Sequence, residues 1–294
     1  MIQRTAAILL MGSAVALAHS GEVIEPHDLW TAWRFEPGVV ILLLVSMVLY
    51  ARGVQKSRAI TLGQKLCFWT ASATLVLALI SPLHPLGEVL FSAHMGQHEI
   101  LMLISAPLLV VSRPLVAFVW GLPFEARRVA GRWSKAGWFQ RIWKTITAPV
   151  SAWCIHAIAL WTWHIPALFD ATVTNEWVHT AQHLSFFLSA LLFWWSLFYP
   201  QRQSSYGAGV LYVFTTAVHT SILGALLTFA GTPWYPAYGA TPIAWGLTPL
   251  EDQQIGGLIM WVPAGVVYLA AALYLFARWL RESDIATRQR RYAD

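Results

Sequence analysis

The sequence predicts an all-α polytopic membrane helix bundle, with about seven transmembrane helices after an N-terminal signal peptide. Of its 294 residues, 57% are hydrophobic and 11% are charged, whereas roughly a quarter of the residues in soluble domains are charged. Apolar stretches recur at the roughly 20-residue length that a bilayer core requires, without the short alternating pattern of a membrane β-barrel. They lie near residues 37–53, 64–82, 93–112, 148–167, 177–199, 208–230 and 249–279.

The N-terminus has the pattern of a cleaved secretory signal. Arg4 precedes an apolar run that ends at Ala18 and is too short for a comfortable membrane span. We therefore expect four parts, which are a signal peptide at residues 1–18, an outer segment at 19–36, a transmembrane helical domain at 37–280 and a cytoplasmic tail at 281–294.

Lysine and arginine alternate strictly between the loops that join the predicted spans. The loops after the first, third, fifth and seventh spans are basic, whereas loops 83–92, 168–176 and 231–248 contain neither residue type. Basic loops stay on the cytoplasmic side, so we expect a multi-pass protein of the bacterial plasma (inner) membrane with its N-terminus outside and its C-terminus in the cytoplasm. The basic loops account for the pI near 9.4. We expect the lipid bilayer as a partner and no nucleic acid.

Two His-x-x-x-His pairs stand out, because ionisable groups are costly inside membrane-length apolar segments. His94 and His98 begin the third span, and His179 and His183 begin the fifth. Each pair lies one helical turn apart on one face of its helix. His164 falls at the outer end of the fourth span. We predict that these imidazoles meet near the outer leaflet and bind a metal ion.

Further candidate ligands have weaker arguments. Met102 lies one turn beyond His98 and offers a thioether, although packing is the commoner role of a buried methionine. His156 and His219 lie nearer the middle of their spans, and His84 falls in a predicted outer loop. The predicted metal ligands are His94, His98, His179, His183, His164, Met102, His219 and His156.

These donors suit more than one metal. Imidazole with an optional thioether favours copper(I), imidazole alone suits zinc, and a haem iron would take one imidazole from each of two helices. Cys67 and Cys154 lack the spacing of a thiolate metal centre. No nucleophile–base pair, phosphate loop or pair of catalytic carboxylates has a persuasive spacing, so we do not expect an enzyme.

The last span carries its own start signal and a close-packing signal. Thr248 can cap the helix, Pro249 suits its first position, and Glu251 completes a capping box. Gly256 and Gly257 would let another helix approach closely.

Several motifs together resemble the integral-membrane CtaG family of cytochrome c oxidase assembly factors. They are HMGQH at 94–98, SAPL at 105–108, SRP at 112–114, WHIP at 163–166, HTAQH at 179–183, PLEDQQIGG at 249–257 and MWVP at 260–263. The resemblance covers residues 35–280. It implies a multi-helix plasma-membrane protein that helps to make an active haem–copper oxidase and to mature its copper centres.

We therefore expect an assembly factor that binds copper at the outer leaflet and assists metallation of cytochrome c oxidase. Its expected partners are oxidase subunits, with a soluble periplasmic copper chaperone and a second copy of the chain as further candidates. A haem-binding membrane electron-transfer protein is the alternative from another class, with one histidine of each pair as an axial ligand. A metal-free assembly scaffold is the third hypothesis.

Overall fold

The computed structural model describes residues 24–57, 59–199 and 206–291, which form helices without any strand. The predicted signal peptide, residues 1–18, lies outside the described residues. The helices are α1 (Pro37–Lys56), α2 (Leu62–Leu79), α3 (Leu83–Val89), α4 (Phe91–Val111), α5 (Pro114–Gly121), α6 (Phe124–Lys135), α7 (Gly137–Ile146), α8 (Pro149–Trp163), α9 (Pro166–Thr174), α10 (Glu176–Phe198), α11 (Tyr206–Thr228) and α12 (Pro249–Arg291).

Six helical segments in the described ranges are long and apolar enough to cross a membrane. They are α1, α2 continued into α3, α4, α10, α11 and α12. Helices α7 and α8 are bent by 64° relative to each other, and they provide a seventh span if the pair is counted as one. The predicted all-α polytopic membrane bundle is confirmed. Helix α12 continues to Arg291, and the boundaries of the four expected parts stay predictions.

Helix starts follow the local chemistry of the sequence. Proline, which lacks the backbone N–H that a first helical residue leaves unpaired, begins α1, α5, α8, α9 and α12. The capping box of α12 is confirmed, since the backbone N–H of Thr248 donates to Glu251 Oε2 at 2.8 Å. The backbone N–H of Glu251 in turn donates to Thr248 Oγ1 at 3.2 Å.

The first turn of α12 also holds the start of α4. The buried carboxylate of Asp252 accepts hydrogen bonds from the backbone N–H groups of Phe91, at 2.6 Å, and Ser92, at 3.1 Å. These are N–H groups that the first turn of a helix leaves without an intrahelical partner. This cap fixes the beginning of the helix that carries His94 and His98.

Glycine lets α11 and α12 pack with their backbones in close approach. A Cβ atom on Gly257 would lie 2.5 Å from Thr228 Oγ1 and 2.7 Å from the carbonyl oxygen of Gly224. The predicted close approach at this position is confirmed. The short helix α5 packs along α1 and buries Ala117.

Candidate metal centre

The two histidine pairs meet at one end of the bundle, where α4 and α10 begin and α8 ends; we call it the histidine end. Within the pairs, ring centroids are 4.4 Å apart for His94 and His98 and 4.2 Å apart for His179 and His183. Across the helices, His183 lies 5.5 Å from His94 and 5.1 Å from His98. All four side chains are buried. The structure therefore brings together the imidazoles that the spacing singled out.

Three of these side chains already have the spacing of ligands to one ion. His94, His179 and His183, which we call the deep group, each offer a ring nitrogen, and these atoms lie within 4.8 Å of one another. Nε2 of His179 and Nε2 of His183 are 3.1 Å apart. Two nitrogens bound to a tetrahedral ion through bonds of about 2.0 Å are about 3.3 Å apart. Helix α10 therefore already holds the Nε2 atoms of His179 and His183 at about the separation of two ligands of one tetrahedral ion.

A tyrosine from the connection between α11 and α12 determines which nitrogen of His94 is available. The hydroxyl of Tyr238 donates to the carbonyl oxygen of Gly87 at 3.1 Å, and burial raises the pKa of Tyr238 well above its ordinary value. That hydroxyl can therefore only accept from Nδ1–H of His94, which lies 3.1 Å away. A neutral imidazole carries one proton, so Nε2 keeps its lone pair. Oε1 of Gln182 lies 3.1 Å from it, so the amide must turn its NH2 group toward Nε2 to form a hydrogen bond.

Among the described residues, three further imidazoles have buried nitrogens without hydrogen-bond partners, which are those of His98, His164 and His219. Neither Nδ1 nor Nε2 of His98 is bonded, and Nε2 of His164 is also unbonded, while its Nδ1 lies 2.7 Å from the carbonyl oxygen of Leu160. The rings of His98 and His164 flank Phe186, with centroid distances of 4.6 and 6.0 Å. An unsatisfied buried polar atom costs about 1–3 kcal/mol. Binding an ion would satisfy the nitrogens of these two rings, so the donor set fits a metal.

The other three predicted ligands have different surroundings. Met102 belongs to an apolar cluster, and its carbonyl oxygen accepts from the indole of Trp194 at 2.8 Å. Nδ1 of His156 bonds Ser189 Oγ at 3.0 Å, and His219 packs edge-on against a tryptophan ring. We therefore build the candidate centre on the two pairs with His164 beside them, and the roles of Met102, His156 and His219 as ligands stay predictions.

Sequence reasoning missed a second group beside the first. His84, assigned to an outer loop, lies in α3 and is only 5% exposed. Its ring stacks on His179 with the centroids 5.3 Å apart and the planes 8° from parallel. His84, Glu88 and His179, which we call the shallow group, offer ligand atoms within 4.8 Å of one another. The available signal was the four-residue spacing of His84 and Glu88, which Pro82 and Pro85 made look like a loop.

The segment that precedes α1 reaches the same place. Arg34 donates to carboxylate oxygens of Glu88 and of Glu176, the latter at 3.3 Å. Glu36 Oε1 lies 3.3 Å from Nε2 of His84, and the hydrogen bond from His84 lowers the pKa of Glu36 from its ordinary value. This segment therefore lies across the histidine end and ties α3 to α10 by charge.

Comparison with known proteins gives this arrangement a family context. The family model described as "Cytochrome c oxidase caa3 assembly factor" matches residues 48–282. Uncharacterized proteins of Mycobacterium bovis and Mycobacterium tuberculosis are each 24% identical over 276 residues, which is 90% of this chain and 42% of theirs. An uncharacterized protein of Mycobacterium leprae is 25% identical over 295 residues, or 93% of this chain and 44% of its own. The chain thus spans less than half the length of these relatives, and no solved structure matches it.

Proposed function

Because the chain belongs to the family of cytochrome c oxidase caa3 assembly factors, we propose that it binds copper between its two histidine pairs and assists metallation of the oxidase. Copper is in this proposal a cargo that is received and released, so no catalytic turnover is required. The observation that carries the proposal is the contact between the Nε2 atoms of His179 and His183, 3.1 Å apart in a buried cluster.

The chemistry of the donors favours copper over harder ions. The deep group offers imidazole nitrogens alone, and imidazole suits copper and zinc, whereas magnesium and calcium take oxygen ligands. Imidazole also suits zinc, so the choice of copper in this proposal rests on the oxidase that the family helps to assemble. The absence of thiolate from the deep group also suits a cargo site, which must release its ion.

The charge pattern supplies the setting for transfer. The basic loops would hold their side of the protein in the cytoplasm, and the histidine end would then open outside the inner membrane. We propose that a soluble copper carrier delivers there and that an oxidase subunit in the same bilayer receives the ion.

Haem binding is the less favoured function. A haem iron with two axial histidines needs the flat macrocycle between the two rings. Here His94 and His183 are 5.5 Å apart between centroids and contact one another edge to face, an arrangement that favours a single ion.

The test is metal and haem analysis of the purified full-length protein after exposure to copper(I). We expect stoichiometric copper in the wild type, loss of copper from His94→Ala/His183→Ala, and full retention in the control His219→Ala. A copper-free wild type, or a double variant that still retains copper, would refute the proposal. A Soret band that shifts on reduction would favour the haem alternative. Oxidase maturation that is unaffected by His98→Ala/His183→Ala would leave the scaffold hypothesis.

A further inference from the structure

The deep group shares one of its members with the shallow group, which no comparison assigns to any role. We propose that the shallow group of His84, Glu88 and His179 captures the cation and passes it to the deep group through His179. This inference rests on the proposed function, since it describes how the same copper ion reaches the deep group.

The two groups are alternative seats for one ion. His179 stacks against the ring of His84 and places its Nε2 3.1 Å from Nε2 of His183. A neutral imidazole has one nitrogen lone pair to give, so His179 can serve only one group at a time. Because the two groups share this ligand, one ion can occupy only one group at a time.

Charge and exposure indicate that the shallow group binds the ion first and the deep group second. The shallow group contains a carboxylate, and the side chain of Glu88 is 36% exposed. The deep group has no carboxylate, and His94 is 1% exposed. An arriving cation therefore meets an attractive, accessible oxygen first, and negative charge in a cleft raises the rate of cation capture.

Arg34 is the group that the cation must displace. It bridges Glu88 and Glu176, and the side chain of Glu176 is 81% exposed. When an ion takes the carboxylate of Glu88, Arg34 keeps its second partner on Glu176. Capture therefore exchanges one cation for another on Glu88 and leaves neither charge unpaired.

The ring of His84 is held in a form that capture would change. The side-chain NH2 of Gln97 donates to the carbonyl oxygen of Ala78 at 2.7 Å and to Nδ1 of His84 at 3.1 Å, so Nε2 carries the proton that points to Glu36. Freeing Nε2 as a ligand releases its proton through Glu36 to water, while Nδ1 takes one up from water. Turning the amide of Gln97 would bring Oε1, which has no partner among the described residues, to accept from the new Nδ1–H, and would break the hydrogen bond from the NH2 group to Ala78.

The experiment follows the rate at which the full-length protein in detergent removes copper(I) from a coloured chelator complex. Glu88→Gln keeps the shape of the side chain and removes its charge. We expect it to load on the order of tenfold more slowly while reaching the same final copper content as the wild type. Glu251→Gln removes a carboxylate that bonds Thr248 and lies outside both the ligand set and the partners of Arg34. It is the matched control, which should load at the wild-type rate.

Arg34→Gln gives a change of opposite sign, which misfolding would not produce. Releasing Glu88 from its cationic partner should speed loading by several-fold, on the order of the steering effects of single surface charges. A Glu88→Gln variant that loads at the wild-type rate would overturn the capture role. Final copper content that falls without a change in rate would also overturn it, because Glu88 would then belong to the resident site. A wild type that takes up no copper would instead refute the proposed function itself.

Discussion

The hydroxyl of Tyr238 accepts a hydrogen bond from Nδ1–H of His94 at 3.1 Å and donates one to the carbonyl oxygen of Gly87. Tyr238 and His94 are 144 residues apart in the chain. A metal-binding histidine commonly donates its second ring N–H to such a partner, which fixes the tautomer and the orientation of the ring. Tyr238, in the connection between α11 and α12, thus fixes the tautomer and the ring orientation of His94 on α4.

Tyr238→Phe should weaken copper binding without abolishing it. The variant removes one hydroxyl, so Nδ1 and Nε2 of His94 compete for the proton. Loss of such a partner lowers metal affinity about 10–100-fold, and competition with a chelator of known affinity measures the change. Tyr235→Phe is the control, since the Tyr235 hydroxyl bonds the carbonyl oxygen of His164 at 3.1 Å. Equal affinities in the two variants would show that the tautomer of His94 does not matter.

His98→Leu should separate stability from metal binding. Both ring nitrogens of His98 are buried and have no hydrogen-bond partner in the described part of the chain, so replacing the ring by an apolar side chain of similar size removes a desolvation cost of about 1–3 kcal/mol. We expect the metal-free variant to unfold at a higher temperature than the wild type, while copper stabilises it less, because the stabilisation by a bound ligand falls as its affinity falls. Thermal unfolding with and without copper(I) measures both effects.

The control for that experiment is a histidine whose ring nitrogen has a partner. His156 bonds Ser189 at 3.0 Å, so His156→Leu leaves a buried hydroxyl unpaired and should lower the unfolding temperature. A His98→Leu variant less stable than the wild type would mean that His98 makes a stabilising contact in the metal-free protein.

Asp252→Asn should loosen the start of α4. The carboxylate of Asp252 accepts from Phe91 and Ser92, and hydrogen bonds to a charged group contribute about 1.5–3 kcal/mol. We expect a loss of unfolding free energy of about that size and weaker copper binding, because the cap fixes the helix that carries His94. Glu251→Gln changes the neighbouring acid, which bonds only within its own helix start at Thr248, and should change neither quantity appreciably. An Asp252→Asn variant that matches Glu251→Gln in both measurements would contradict this role.

Features that depend on one helix alone were predictable from the sequence. The spans, the facing of His94 with His98 and of His179 with His183, and the capping box at Thr248 follow from hydropathy, a 3.6-residue repeat and local hydrogen bonding. Each of these relationships joins residues at most one turn apart or uses composition alone.

Features that depend on how the helices are rotated relative to one another were not predictable from the sequence. The depth of His156 along its span was readable, but its face was not, and the structure directs it to Ser189. Similarly, Tyr238 and Arg34 act through partners 144 and 54 positions away. Such pairings are set by packing across the bundle, for which a single sequence carries no local signal.

Gly257→Ala should destabilise the bundle through the contact of α11 with α12. The added methyl group would lie 2.7 Å from the carbonyl oxygen of Gly224, which is backbone and cannot move aside without shifting α11. Overpacking of this kind costs about 1–3 kcal/mol. Because α12 also carries Asp252, whose carboxylate caps α4, we expect the shift to weaken copper binding as well.

Gly265→Ala is the matched control on the same helix. A methyl group there meets nothing within 4 Å, and alanine is about 1 kcal/mol more favourable than glycine in a helix interior. Denaturant unfolding in detergent should therefore move in opposite directions for the two variants. If Gly257→Ala were as stable as Gly265→Ala, the close approach of α11 and α12 would not be a determinant of the fold, and the coupling from α12 to the histidine pairs would lose its support.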